Sequence, residues 1–511
     1  MTAANRWFAV ILVLATTFIP AGFAQQQFDP IRKSIRAGMM KRNVPSISVS
    51  VAKDGKIIWE EGFGWADRER RIASDENTMY SLASISKPIT ATGLMTLVAA
   101  GKVDLDKPIN DYLGAAKIRA HVGIADEATV RRIANHSAGL PEHFQFFYEN
   151  EPWRPASPDE TILRYGDLYS KPGERFQYSN LDYGVLDYVI SRVSGRSLAE
   201  YMRSEVFLKL GMTRTSIGVD PGLKDFVATR YDGEDLTPIV PYQFDHNGAS
   251  AVYSSAHDLV RFGIFSLKEH LPDQFPILTD QALDQMQQST ITDRPGIGYG
   301  IGWNIDTTTK YRIVTHSGGM PGVATWLRLV PSERLVIVVL CNENDHLAHE
   351  VADDITAFML PGWASQDPGP RPAPAPPSKM MIGVWKGAVE TYREKIPLQF
   401  TILPSGEVKA KLGDQLETLV NGSTFANDTL GGVMNGNIHL PDASRRPYIL
   451  SLSLRVRDGD VLSGAVTARA DGEGTMPAYE IVPAVPGMAP PLQVERDAFV
   501  ISQWTELRKV K

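Results

Sequence analysis

A chain of 511 residues is too long for one hydrophobic core and divides into two or three domains. Its 43% hydrophobic and 22% charged residues exclude a disordered chain, and a net charge of −7 without a basic stripe excludes a nucleic-acid partner. The single cysteine, Cys341, excludes an internal disulfide; it follows the apolar run 335–340 and reads as a buried strand residue.

The first 24 residues read as a secretory signal peptide. Arg6 precedes an apolar run over residues 7–19, and Ala21-Gly22-Phe23-Ala24 ends in small residues. That run is too short for a membrane span, and no later stretch is apolar enough for one. The expectation is a periplasmic or secreted protein, cleaved after Ala24, with no membrane span after cleavage.

Residues 25–362 read as one α+β domain. An amphipathic helix is expected over 28–42. Strands follow over 46–52 and 56–63, joined by Asp54-Gly55, a strong hairpin signal between alternating runs. The apolar run 89–100, stopped by Gly101, predicts a helix opening near Ser84. Residues 104–158 read as irregular, rich in proline and aromatic side chains. Helical patterns recur over 182–194, 198–210 and 255–267. Short strands return over 299–305, 311–316, 323–330 and 335–340, before a closing helix over 349–359. Strands at both ends with helices between them predict an antiparallel sheet flanked by helices, with a helical insert. Prolines crowd residues 363–378, which read as an extended linker. Alternating runs beyond it make 379–511 a small antiparallel β-domain, a barrel or a meander.

Three short motifs carry chemistry. Ser84-Ile85-Ser86-Lys87 places a lysine three residues after a serine at a helix start, on the same helix face. The amine can activate the hydroxyl, and the helix N-terminus favours developing negative charge. Ser50-Val51-Ala52-Lys53 repeats the spacing, but in a strand, where side chains three apart point to opposite faces. Tyr178-Ser179-Asn180 is the second motif. A tyrosine beside a lysine can have its pKa lowered and shuttle a proton, and an asparagine offers a donor and an acceptor to an amide. Tyr148-Glu149-Asn150 competes with it but lacks the Lys171-Pro172-Gly173 lead-in, so Tyr148 reads as loop packing. The third motif is His316-Ser317-Gly318-Gly319 at a strand end, where glycines admit a substrate close to the backbone.

In this order the three motifs resemble the serine β-lactamase and penicillin-recognising enzyme superfamily, in its class C-like branch of D-stereospecific peptidases and esterases. The resemblance runs over about residues 28–359. It implies Ser84 as the acyl-accepting nucleophile, Lys87 against it, and Tyr178 as general base and then acid. Whether Lys87 or Tyr178 takes the first proton stays open at this point. Asn180 would position Lys87 and the substrate amide, and the Ser84 and Gly319 N–H groups would form the oxyanion hole beside Gly318. His143 falls where the family often has a polar substrate contact.

The departure is His316, where penicillin-recognising members carry a lysine. A histidine is mostly neutral at pH 7 and offers no fixed charge to a substrate carboxylate. The reading is therefore a serine hydrolase acting on a small ester, amide or peptide, of esterase or D-amino-acid peptidase type. The alternatives are a DD-carboxypeptidase or β-lactamase, and a non-enzymatic binding scaffold. No cofactor is expected, since Gly431, Gly432 and Gly436 lack phosphate-loop spacing. No metal is expected either: His346 and His349, near Glu343 and Glu350, read as a solvated helix start.

Overall fold

In a computed structural model, residues 27–232, 235–364, 375–470 and 499–510 are described. The signal-peptide expectation and most of the expected linker lie outside them.

Asp54 and Gly55 both take positive φ, 51° and 71°, which makes the type I′ turn expected between strands Ser46–Lys53 and Lys56–Asp67. The first of these strands sits inside a nine-stranded antiparallel sheet. From one edge the order is Ile291–Arg294, Ile297–Tyr299, Asn304–Asp306, Ile313–Met320, Val323–Val330, Leu335–Cys341, Ser46–Lys53, Lys56–Asp67 and Ile72–Ala73. Strands from the two ends of residues 25–362 thus meet at one seam, with Ile47 opposite Cys341 and Lys53 opposite Leu335. Cys341 is buried and free, as expected.

Alternation along Ser46–Lys53 explains why both its faces can be buried. Ile47, Val49 and Val51 join Phe28, Ile31 and Ile35 beneath helices Asp29–Arg42 and Leu347–Met359. Ser46, Ser48 and Ser50 face the other way, fully buried but hydrogen-bonded to Tyr80 Oη (3.0 Å), Ser74 Oγ (2.9 Å) and Glu60 Oε1 (3.1 Å). Helix Ala256–Ser266 covers that face. It comes so near that a Cβ on Gly263 would lie 2.3 Å from Val336 Cγ1. Helix Ser86–Ala99 is buried on nearly every side, the behaviour of an all-round apolar helix. It packs with helix Asn180–Ser194 in the insert.

Three expectations need correction. The run 299–305 is two strands, Ile297–Tyr299 and Asn304–Asp306, parted where Gly302 (φ 84°) passes the backbone of Pro88. The run 311–316 is strand Ile313–Met320, which continues through Gly318 and Gly319. Residues 104–158 are not wholly irregular, since they contain strand His143–Tyr148. Its run of aromatics hides the alternation because protein covers both faces.

The C-terminal strands form a meander that returns on itself. The order is Thr418–Leu419, Val408–Leu412, Lys395–Ile402, Gly383–Glu390, Phe499–Lys509, Val461–Arg469, Ile449–Arg457, Thr429–Met434 and Asn421–Ala426. The two ends of this path are one segment interrupted at Val420, so the sheet is barrel-like. Trp385, Phe400, Leu430, Leu454 and Leu507 are fully buried within it. The barrel is also joined to the part of the chain that precedes it. Phe499, Val500 and Ile501 pair with Gln145, Phe144 and His143, and Tyr242–Phe244 pairs with the same strand.

Candidate active site

Ser84 lies in a single tight turn, Ala83–Ile85, that leads into helix Ser86–Ala99. Ala83 adopts φ 47°, a left-handed conformation that a residue with a Cβ holds only when its surroundings impose it. The surroundings are specific. Leu82 N–H donates to Val252 O (2.8 Å), Thr325 Oγ1 donates to Leu82 O (2.9 Å), and Val252 N–H donates to Ser86 Oγ (3.0 Å). Strand Ile313–Met320 closes against this turn, and a Cβ on Gly318 would lie 2.1 Å from Leu82 O. Gly319 is exposed, and a Cβ there would meet only Asn344 Oδ1, at 3.8 Å. The two glycines thus differ: Gly318 permits close packing on the Ser84 turn, and Gly319 stays exposed.

The first and second motifs converge on one oxygen. Lys87 Nζ lies 3.2 Å from Ser84 Oγ, and Tyr178 Oη donates to the same oxygen at 2.9 Å. Lys87 Nζ also donates to Asn180 Oδ1 (2.7 Å) and Ala249 O (3.3 Å) and sits 4.7 Å from the Tyr178 ring centroid. Asn180 opens helix Asn180–Ser194, which fixes it opposite Lys87.

Burial sets the protonation of this group. It lowers the Lys87 amine from 10.5 to about 7, offset only in part by the acidic Glu142 and Asp182. The same burial pushes the Tyr178 phenol above its ordinary value, against the hydrogen bond to Ser84. That corrects the expected lowering. Lys87 has already lost its charge at any pH where Tyr178 would ionise, so no cation remains to stabilise a phenolate.

His316 is 3% exposed, and burial, with a smaller contribution from Lys87, lowers it to about 3. Nδ1 lies 2.7 Å from Ser317 O, which can only accept, so Nδ1 carries the proton. Nε2 of the neutral ring then accepts from Tyr299 Oη at 2.9 Å. Both ring nitrogens are therefore occupied. In the sequence Tyr299 only begins the strand expected over 299–305, with no role attached.

Sequence reasoning also missed His136 and Asp182, which lie behind Tyr178. His136 Nδ1 and Asp182 Oδ2 are 2.7 Å apart, and the His136 ring lies 4.6 Å from that of Tyr178. Burial lowers His136 well below its ordinary value and raises Asp182 well above its own. The two groups form a buried hydrogen-bonded pair behind the Tyr178 ring. Histidine and aspartate at this separation carry no recognisable spacing, so only packing reveals them.

The remaining sequence candidates are placed elsewhere. Ser50 donates to Glu60, and Lys53 Nζ turns to Glu333, so the second serine–lysine pair does not meet. Tyr148 is a buried strand residue whose ring lies 5.3 Å from that of Tyr242. His143 is not among the groups around Ser84; it is buried with His246, Asp245 and Tyr165. His346 and His349 begin helix Leu347–Met359, and His349 packs 4.4 Å from Trp326. A cavity of about 860 Å³ lies beside the Ser84 turn, with Ser81, Met320, Tyr253, Arg230 and Asp187 on its walls. Arg230 stacks on Tyr242 there, 3.7 Å from the ring centroid.

Fold and constellation together define the class as the serine β-lactamase and penicillin-recognising superfamily. Residues 31–358 match the Beta-lactamase family, and the chain belongs to it. Protein flp of Staphylococcus aureus (strain MRSA252) is 26% identical over 341 residues, spanning 66% of this chain and 66% of its own length. The chain thus matches just under two thirds of that relative. The octameric penicillin-binding protein homologue from Pyrococcus abyssi shares the fold with a TM-score of 0.57 at 24% identity, covering 86% of this chain and 97% of its own. SurE, in a crystal structure with D-Leu, gives a TM-score of 0.61 at 19% identity, again over 86% of this chain and 97% of its own.

Proposed function

We propose that the protein is a serine hydrolase that works through an acyl-enzyme on small esters or amides and does not require a free carboxylate on its substrate. The observation that carries this reading is the neutral, fully engaged His316. Its two nitrogens are held by Ser317 O and Tyr299 Oη, so the strand beside the nucleophile presents no fixed cation.

The hydrogen-bond inventory of Lys87 supports an order of proton transfer. A neutral amine has two N–H donors and one lone pair. Asn180 Oδ1 and Ala249 O take the donors, which leaves the lone pair toward Ser84 Oγ. Lys87 then takes the Ser84 proton as Oγ attacks the carbonyl. Tyr178, protonated and 2.9 Å from Oγ, is placed to donate to the leaving group. The N–H groups of Ser84 and Gly319 would hold the developing oxyanion.

Tyr178→Phe is expected to lower turnover by about a hundredfold or more, the usual range for losing a general acid–base group, while Tyr148→Phe leaves it nearly unchanged. The opposite ranking in steady-state kinetics would move the proton-transfer role to Tyr148.

Substrate choice is tested by comparing chromogenic esters, D-aminoacyl anilides and a chromogenic β-lactam, each ester or amide with and without a free carboxylate. The forms lacking the carboxylate are expected to react at least as well. Because His316 stays neutral down to about pH 3, no carboxylate preference should emerge as pH falls from 8 toward 5. His316→Lys should shift preference several-fold toward the free acid, about 1 kcal/mol for a partly solvated ion pair. A strong preference for free acids in the unaltered protein, the same in His316→Lys, would refute this specificity.

A further inference from the structure

Strand His143–Tyr148 brings one histidine to a place where two further ligand-type side chains meet it. His143 Nδ1 and His246 Nε2 are 2.9 Å apart. Asp245 lies between them: Oδ2 is 3.6 Å from His143 Nδ1, and Oδ1 is 3.6 Å from His246 Nε2. One atom from each residue lies within 4.8 Å of the other two. Ligands at about 2.0–2.1 Å around a tetrahedral ion stand about 3.3 Å from one another, so these separations are of the right size.

The cluster is also poorly satisfied without an ion. The three side chains are 1–3% exposed. Asp245 Oδ1 accepts from Gln145 N–H at 3.0 Å, but buried Asp245 Oδ2 and His143 Nε2 have no hydrogen-bond partner among the described residues. A buried carboxylate oxygen with no donor on it is costly unless a cation or a proton is present. The ring of His246 is given room by Gly184, where a Cβ would lie 2.3 Å from Nδ1. Arg445, the cation closest to influencing His143, is turned to Gln145 Oε1 (2.9 Å) and Phe146 O (3.2 Å).

We propose that His143, Asp245 and His246 bind one divalent transition-metal ion of the zinc class. Two imidazoles and one carboxylate are a donor set for that class, and Asp245 and His246 also line the 860 Å³ cavity, which supplies the open side for a fourth ligand. The ion ties three parts together. His143 pairs with Ile501 of the barrel, His246 immediately precedes the helical turn Asn247–Ser250, and Ala249 of that turn accepts from Lys87. It is a positioning site rather than a source of the attacking group.

The test uses the full chain without a histidine tag, stripped with a chelator and titrated with Co²⁺ and then Zn²⁺. One equivalent of Co²⁺ should bind with the visible absorption of a tetrahedral site and be displaced by Zn²⁺, and Zn²⁺ should raise the thermal midpoint. Asp245→Asn and His246→Gln should each weaken binding by about a hundredfold or more. Stoichiometry well below one in the unaltered protein overturns the proposal whatever the variants do. So does binding of equal strength in the unaltered protein and both variants, which would place the ion elsewhere.

Discussion

Ser84→Ala is expected to lower turnover by about 10⁴-fold or more and to abolish covalent labelling by a fluorophosphonate or β-lactam probe. The size follows from the way the site is built. Both Lys87 Nζ and Tyr178 Oη are directed at Ser84 Oγ and have no other oxygen to activate. The nucleophile turn is also strained at Ala83 and clamped by Thr325 and Val252, an arrangement that orients one hydroxyl. The competing serine, Ser50, is fully buried in the central sheet and donates to Glu60. Mass spectrometry of the labelled protein should find the adduct on the peptide containing Ser84. An adduct that persists in Ser84→Ala, or one on Ser50, would remove the basis of the assignment.

Lys87→Met is expected to lower turnover by about 10³-fold and to erase one limb of the pH profile. With the amine near 7, kcat/KM of the unaltered protein should rise with pH through about 7 and then level off, because only the neutral amine accepts a proton. The same shift has a stability consequence. In the unfolded chain the amine returns to about 10.4, so between about 7 and that value the unfolded state binds more protons than the folded one. Stability therefore rises with pH across that window, and below about 7 the full cost of burying the charge is present. Urea midpoints of the unaltered protein should accordingly gain on those of Lys87→Met between pH 7 and pH 10. A rate profile flat through pH 7, or a limb at 7 that survives in Lys87→Met, would place the titrating group elsewhere.

Features that depend on local spacing are legible in the amino-acid sequence. The Asp54-Gly55 turn, the helix after Ser84 and the failure of Ser50 and Lys53 to meet all follow from period and turn chemistry. Features that depend on what packs against a residue are not. Tyr178 beside a lysine suggests a lowered phenol, yet burial neutralises that lysine first. His143 falls where the resemblance to the family implies a polar substrate contact. Its strand instead turns it toward Asp245 and His246. The pairing of His143 with Ile501 joins positions hundreds of residues apart, and no local pattern encodes such a partner.

That last pairing bears on how the chain folds as it is made. Strand Phe499–Lys509 comes long after His143–Tyr148 in the chain, yet it completes the barrel and supplies an edge partner of that strand. Ser502 Oγ also donates to the carbonyl of Glu142 at 2.9 Å. Translation runs from the N-terminus, so Ser84, Lys87 and Tyr178 exist long before the strand that braces their wall. Until residues 499–501 emerge, His143–Tyr148 keeps an unpaired edge, the kind of surface that recruits wrong partners and that chaperones cover. The order of synthesis thus separates the appearance of Ser84, Lys87 and Tyr178 from the bracing of strand His143–Tyr148.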